Sequence, residues 1–397
     1  MLFVCGADFR GPSEKQALAF ASGLLRRGHA AMISIGGDIA SAHEEGVNDL
    51  EGLVVRRHRF LGPRLHPADV GAARTFRPDI VHAFNSRHPV IAAARSYANA
   101  TGARVLVHFE DDEWGLARDP DEIGRRLWLE RRARRVAGLL WPRAWTYSTP
   151  RSLEWTRRHA TALDAVTPAL AEHVRGRLGR DCAVLVPMVA ALDSAPEPPP
   201  PLPAGLEDRA LVIFTGAIYP AHVPDVRLGL RAVAILQQRG LHVGFLQCGA
   251  VAPSIDPDAL ARDCGIAPGS AYFLGHLPSG RARALLQRAD VLIQPGRPTE
   301  FNRLRLPAKL HPYLASGKPT ITFGSGFGDM LEDGREVLKT HTGEPAELAD
   351  RIASVLEDPE LRRRLAENGP RAAARLFDPI RNTDALIEHY RAHGHAH

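Results

Sequence analysis

A histidine stands at the end of the apolar run ARVLVHF, Ala103 to Phe109, and Glu110, Asp111, Asp112 and Glu113 follow it before Trp114. An imidazole beside carboxylates at a strand end is a set that can move protons or bind hydroxyls, although a solvated acidic turn has the same composition. His82 holds a similar place in DIVHAF, where a buried structural histidine explains it equally well. Farther on, Arg303, Arg305 and Lys309 crowd NRLRLPAKL, the loop and first helical turn before a helix. Cations are mildly unfavourable beside the positive end of a helix dipole, so three of them there call for an anion such as phosphate. Gly11, Pro12 and Ser13 precede another helix, and their loop could bring backbone N–H groups to a ligand.

The elements that must position these groups are short apolar runs alternating with helical spacing. LFVCG ends in glycine, and Ala17, Leu18, Ala21, Leu24 and Leu25 then recur at helical intervals until Gly28. Met32 to Ile35, Leu53 to Val55, Asp79 to Phe84 and Ala103 to Phe109 read as further strands, with Val90 to Ala100 helix-compatible. Such alternation predicts a parallel sheet covered by helices on both faces. Six prolines in SAPEPPPPLPAG, Ser194 to Gly205, exclude helix and central strand and mark a linker. The pattern then restarts in ALVIFTG, a helix near Val226 to Gln238, HVGFLQCG, AYFLGHL, DVLIQPG and KPTITFGSG, with a helix expected from Pro307 to Ser316. The reading is α/β, with an N-terminal domain over 1–193, a linker over 194–205, a second domain over 206–376 and a last helix within 377–397. Two doubly wound sheets are expected to face a cleft, with ligands at the carboxyl ends of the strands.

Composition bounds the rest. A chain of 397 residues with 45% hydrophobic and 24% charged residues is globular, and exceeds the ~250–300 residues at which one core stops growing. The net charge of +5 is too small to call for nucleic acid as a partner. The basicity is local, with ten Arg and three Glu between Glu122 and Arg158. Cys5, Cys182, Cys248 and Cys264 lack CxxC spacing and read as reduced core residues. No run approaches the ~20 apolar residues of a membrane span, and MLFVCG is not a signal peptide, so a cytoplasmic location is expected.

GPSEKQALAFASGLLRRGH, RPDIVHAFN, DAVTPALAEHV, YFLGHLP, RADVLIQPG and LPAKLHPYLASGKPTIT follow one another in the order of the landmarks of GT-B glycosyltransferases. From Leu2 to about Phe377 the chain resembles that fold family, and within it the retaining, glycogen-synthase-like (family 4-like) group. The resemblance implies an N-terminal domain for a sugar acceptor, a C-terminal domain for a nucleoside diphosphate sugar, and a last helix that crosses back onto the first domain. It places His108, Glu110 and Asp111 at the transferred sugar as catalytic candidates, and Gly11, Pro12, Ser13 and His82 on the acceptor side. Gly216, His222, Arg303, Arg305 and Lys309 fall on the donor phosphates, while His276 and Leu277 lie in the loop that packs on the base. It implies no metal and no cofactor beyond the donor.

The departures are specific. Leu304 and Pro312 stand where family members carry two glutamates, and Glu300 is out of register for the first. Ala217 and His222 replace the usual Arg and Lys after the first strand of the second domain. The expected function is transfer of a sugar from a nucleoside diphosphate to a glycan, lipid-linked or natural-product acceptor, with retention. The alternative is a GT-B protein with a degenerate donor site acting as a binding or partner subunit. Trp128, Trp141 and Trp145 among the arginines of residues 122–158 suggest peripheral contact with an anionic membrane face, near a lipid-linked acceptor. The stripe Leu129, Ala133, Val136 and Leu140 would equally suit packing within its own domain.

Overall fold

The computed structural model describes the chain except for residues 10, 45–46, 48–49, 62–63, 116–147, 187–197 and 394–397. It divides into two compact units: Met1–Asp193 with Leu304–Leu306 and Phe377–His397, and Ser194–Arg303 with Pro307–Leu376.

The first unit is built on a parallel sheet of seven strands. These are β1 (Leu2–Cys5), β2 (Ala31–Ile35), β3 (Leu53–Arg57), β4 (Ile80–Phe84), β5 (Arg104–Phe109), β6 (Ala162–Ala165) and β7 (Ala183–Val184), in the order β3-β2-β1-β4-β5-β6-β7. β1, β2, β4 and β6 are buried along their whole length, as strands covered on both faces must be. Between β1 and β2 runs α1 (Pro12–Arg26), with Pro12 in its first turn, where a missing N–H costs nothing. It buries Ala17, Leu18, Ala21 and Leu24. α2 (His88–Thr101) stops at Gly102, whose φ of 77° is open to glycine at little cost. α3 (Pro150–His159) begins in a Thr149–Ser152 capping box, and α4 (Pro168–Leu178) begins with the Thr167 hydroxyl accepting from the Leu170 N–H.

The second unit carries β8 (Ala210–Thr215), β9 (Val243–Cys248), β10 (Ala271–Phe273), β11 (Val291–Gln294), β12 (Thr320–Phe323) and β13 (Leu338–Thr340), all parallel, in the order β10-β9-β8-β11-β12-β13. α5 (Val223–Gln238) crosses from β8 to β9. The helix expected from Pro307 begins only at α6 (Leu310–Ala315), because Pro312 is tolerated in a first turn and not farther in. α7 (Pro345–Glu357) packs against α5 and buries Leu348, Ile352 and Val355, and α8 (Pro359–Leu376) packs against α6 and α7. From Pro198 to Gly205 the linker contains neither helix nor strand.

The last helix, α9 (Pro379–His393), belongs to the first unit and lies against α1. Its Leu386, Ile387 and Tyr390 enter the apolar cluster of Phe3, Phe20, Leu24 and Ile33. All four cysteines are buried and unpaired, and among the described residues no helix is long and apolar enough to cross a membrane. The tryptophan-rich stretch of residues 122–158 lies outside the described residues up to Tyr147.

Candidate functional site

In the second unit the strand order reverses between β8 and β11, which opens a crevice at the carboxyl ends of those strands. Gly216 follows β8 with a φ of 153°, and Lys309 lies directly over it. The Lys309 Nζ is 4.7 Å from the centroid of the Phe214 ring, near the end of the same strand. Beside it, Gln247 donates from Nε2 to the carbonyls of Gly216, at 2.7 Å, and Gly249, at 3.1 Å. The Gly249 N–H in turn donates to the Gly275 carbonyl, which ties the loop of His276 and Leu277 to this edge. His276 is exposed there and Leu277 half-buried. His222 turns back on its own loop, its Nδ1–H donating to the Ala217 carbonyl at 3.1 Å.

Past β11 the chain is held by Asp225 of α5, which accepts from Arg297 Nε at 3.0 Å and from Asn302 Nδ2 at 3.4 Å. A cavity of about 410 Å³ at the ends of β12 and β13 is lined by residues that include Thr299, Glu300, Arg303, Ser325 and His341. Arg303 and Glu300, one helical turn apart, pair on its wall at 3.3 Å. Arg305 belongs to the first unit, so the three cations read together in the sequence are divided, with Arg303 and Lys309 in the second. Leu304 is completely buried in the first unit's core, and its carbonyl accepts from the Thr167 hydroxyl. Neither it nor Pro312 can do what a glutamate would.

In the first unit the corresponding edge is acidic and tightly bonded. Glu110 accepts from the Ser13 hydroxyl and, at 2.7 Å, from Asn85 Nδ2, while its own N–H donates to Asn85 Oδ1. Its Oε1 is buried with no partner among the described residues, and burial raises the carboxyl above its ordinary value. Asn85 holds this geometry with a φ of 70°, a left-handed conformation that asparagine tolerates better than most residues. Glu14 accepts from the Ala7 N–H at 2.7 Å, and burial pushes it up to about 7. Arg87 bonds Glu113 at 3.0 Å and approaches Asp111 at 3.5 Å. Burial opposes its charge, but these carboxylates more than offset that and raise its pKa. Asp111 is the accessible acid of the group, its side chain 31% exposed.

His108 does not reach that surface. It is wholly buried, with Nδ1 2.5 Å from Asp164 Oδ1 and Nε2 3.2 Å from Gln16. His82, equally buried, donates from Nε2 to Asp164 Oδ2 at 3.0 Å and accepts at Nδ1 from the Tyr390 hydroxyl of α9 at 2.8 Å. Asp164 accepts from both rings, and although burial opposes its charge, their proximity holds its carboxyl well below the usual range. The expectation that residues 11–13 present N–H groups to a ligand is corrected in part. The Gly11 N–H is used by the Asp8 carbonyl, Pro12 has none, and the Ser13 hydroxyl is taken by Glu110.

Residues 209–358 match the family described as "Glycosyl transferases group 1". The chain is 26% identical over 195 residues to the alpha-D-kanosaminyltransferase of Streptomyces kanamyceticus, covering 48% of this chain and 47% of that protein. It is 28% identical over 191 residues to a D-inositol 3-phosphate glycosyltransferase of Saccharomonospora viridis, covering 46% and 43%. The matches thus span less than half the length of these relatives. The crystal structure of Anabaena HepE in complex with UDP and glucose matches 99% of this chain and 100% of that one, with a TM-score of 0.69 at 15% identity. The chain has the GT-B glycosyltransferase fold.

Asn85 and Phe214 are among the groups at these GT-B strand ends that escaped the sequence reading. Asn85 follows a strand as an Asn that can enter the left-handed region, a signal that was available. Phe214 gave none, since an aromatic residue in an apolar strand reads as core.

Proposed function

We propose that this chain is a metal-independent glycosyltransferase that moves a sugar from a nucleoside diphosphate, bound by the second unit, to an acceptor held by the first, with retention of anomeric configuration. The single observation that carries the reading is the ammonium of Lys309 seated over Gly216 at the end of β8. The departing diphosphate carries about two to three negative charges, and a fixed cation where that charge develops lowers the barrier to leaving. Lys309 fills the role that Ala217 and the inward-turned His222 leave open, so the chain itself supplies the cation. Arg303 and Arg305 are read as further phosphate contacts, and the loop of His276 and Leu277 as the seat of the base. The UDP in the HepE complex and the glycosyltransferase names of the relatives support a nucleoside diphosphate sugar donor.

On the acceptor side, Asp111 and Glu110 are the groups proposed to meet hydroxyls. Inositol phosphate in one relative's name favours a small polyol acceptor. The location proposed is cytoplasmic, with residues 122–158 touching an anionic membrane face.

Calorimetry with UDP, GDP and TDP tests the donor assignment. Lys309→Ala and Arg305→Ala should each weaken diphosphate binding about tenfold or more, because a hydrogen bond to a charged group contributes roughly 1.5–3 kcal/mol. Binding of none of the three by the parent chain would favour the partner-subunit reading instead, for which the buried Leu304 is the structural argument.

A further inference from the structure

We propose that Phe214, with Gly216 and Tyr313, forms a cradle that fixes the Lys309 ammonium before any ligand arrives, and that Phe214 is a positioning residue for the donor diphosphate. The proposal rests on the donor-site reading above.

Lys309 is restricted from more than one direction. Its backbone is tied through α6, where the Tyr313 N–H donates to the Lys309 carbonyl at 3.1 Å. The buried Tyr313 hydroxyl accepts from the Thr215 N–H at 2.6 Å, which joins that turn of α6 to the last residue of β8. The ammonium itself lies over the face of Phe214, whose quadrupole attracts a cation, and Phe214 is only 5% exposed. Gly216 supplies the space. A Cβ built there would stand 2.9 Å from Lys309 Cε and 3.1 Å from Nζ, and the φ of 153° further disfavours a side chain.

A lysine has side-chain rotamer entropy to lose when it grips a ligand. A cradle that imposes much of that loss in the free protein leaves less to be lost on binding. An aromatic face suits the purpose because it attracts the ammonium without neutralising it.

The test is a double-mutant cycle read by calorimetry with UDP on the full chain. Phe214→Leu should weaken UDP binding about threefold to tenfold. In the Lys309→Ala background the same change should have no further effect, because a residue acting through Lys309 has nothing left to position. Phe214→Tyr, which retains the ring, should bind within about twofold of the parent. An equal loss in both backgrounds would show that Phe214 only supports the strand, and an unchanged affinity in Phe214→Leu would likewise overturn the proposal. Cyclohexylalanine at position 214 keeps the bulk and removes the quadrupole, which separates packing from the cation–π contact. It should match Phe214→Leu, and a match to the parent would sink the idea.

A separate readout in the ligand-free protein keeps the two readings distinguishable. The acylation rate at Lys309, followed by peptide mass spectrometry, should rise severalfold in Phe214→Leu as the ammonium leaves its platform. A parent chain that binds no nucleoside diphosphate would remove the donor-site reading, whereas an unchanged acylation rate would remove the cradle.

Discussion

Burial holds the Glu14 carboxyl protonated into the neutral range, and this has a consequence for stability. Its ordinary value is 4.5 and the folded value about 7, so the folded state binds this proton more tightly than the unfolded one. The resulting stabilisation is fully present below about 4.5 and is lost as pH rises through about 7, an effect of about 3 kcal/mol in order of magnitude. Glu14→Gln keeps an oxygen for the Ala7 N–H and removes the titration. Urea unfolding from pH 4.5 to 7.5 should show the parent losing stability relative to the variant over this range, and parallel curves would contradict the assignment. At this scale the sequence was partly legible. Lys309 was singled out as one of three cations crowding a helix start, and Glu110 as one of four acids after a strand-end histidine. His108 read as a group of the cleft and His82 equally as a buried structural histidine, because a sequence does not reveal that Asp164, 56 residues after His108, will lie beside both. The interaction that makes burial tolerable is long-range.

At the scale of elements, the apolar runs located the long strands, and the glycines and prolines located many of their ends. β6, β7 and β13 were not read as strands. β6 has only four residues with Asp164 among them, while β7 and β13 have two and three, too few for a hydrophobic period to develop. The last helix was expected within 377–397, and of its apolar residues Ile380 is 66% exposed whereas Leu386 is fully buried. Apolar packing at Leu386 and a hydrogen bond from Tyr390 to His82 are two of the contacts that hold the helix to its unit, beside an exposed Arg27–Asp384 ion pair. Leu386→Ala should cost about 2–5 kcal/mol, and Tyr390→Phe about 1–3 kcal/mol by leaving the buried imidazole nitrogen unpaired. Denaturant titration of both variants checks this ranking. A larger loss in Tyr390→Phe would mean that the polar cluster, rather than the apolar face, holds the helix.

On the scale of the whole molecule, the two units have separate cores, and the chain passes between them more than once. The proline-rich linker was an obvious boundary because proline cannot continue a sheet or a helix. The return of Leu304–Leu306 to the first unit was not, since it lies within a segment whose charge suggested one continuous phosphate loop. Separate cores mean that a ligand confined to one unit stabilises that unit first, by about 2.7 kcal/mol at 100 times its dissociation constant. Hydrogen exchange with and without UDP should therefore slow in peptides from 210–249 and 291–323, which contain β8, β9, β11 and β12. Peptides from β1, β2 and β6 of the first unit, distant in sequence from every proposed donor contact, should change little. Protection centred on Glu14, Asn85 and Glu110 instead would place the nucleotide on the acidic edge and reverse the assignment of donor and acceptor units. Protection confined to the peptide carrying Glu300 and Arg303 would move the nucleotide from the β8–β11 crevice to the neighbouring 410 Å³ cavity. In that case Lys309 would have no diphosphate to meet.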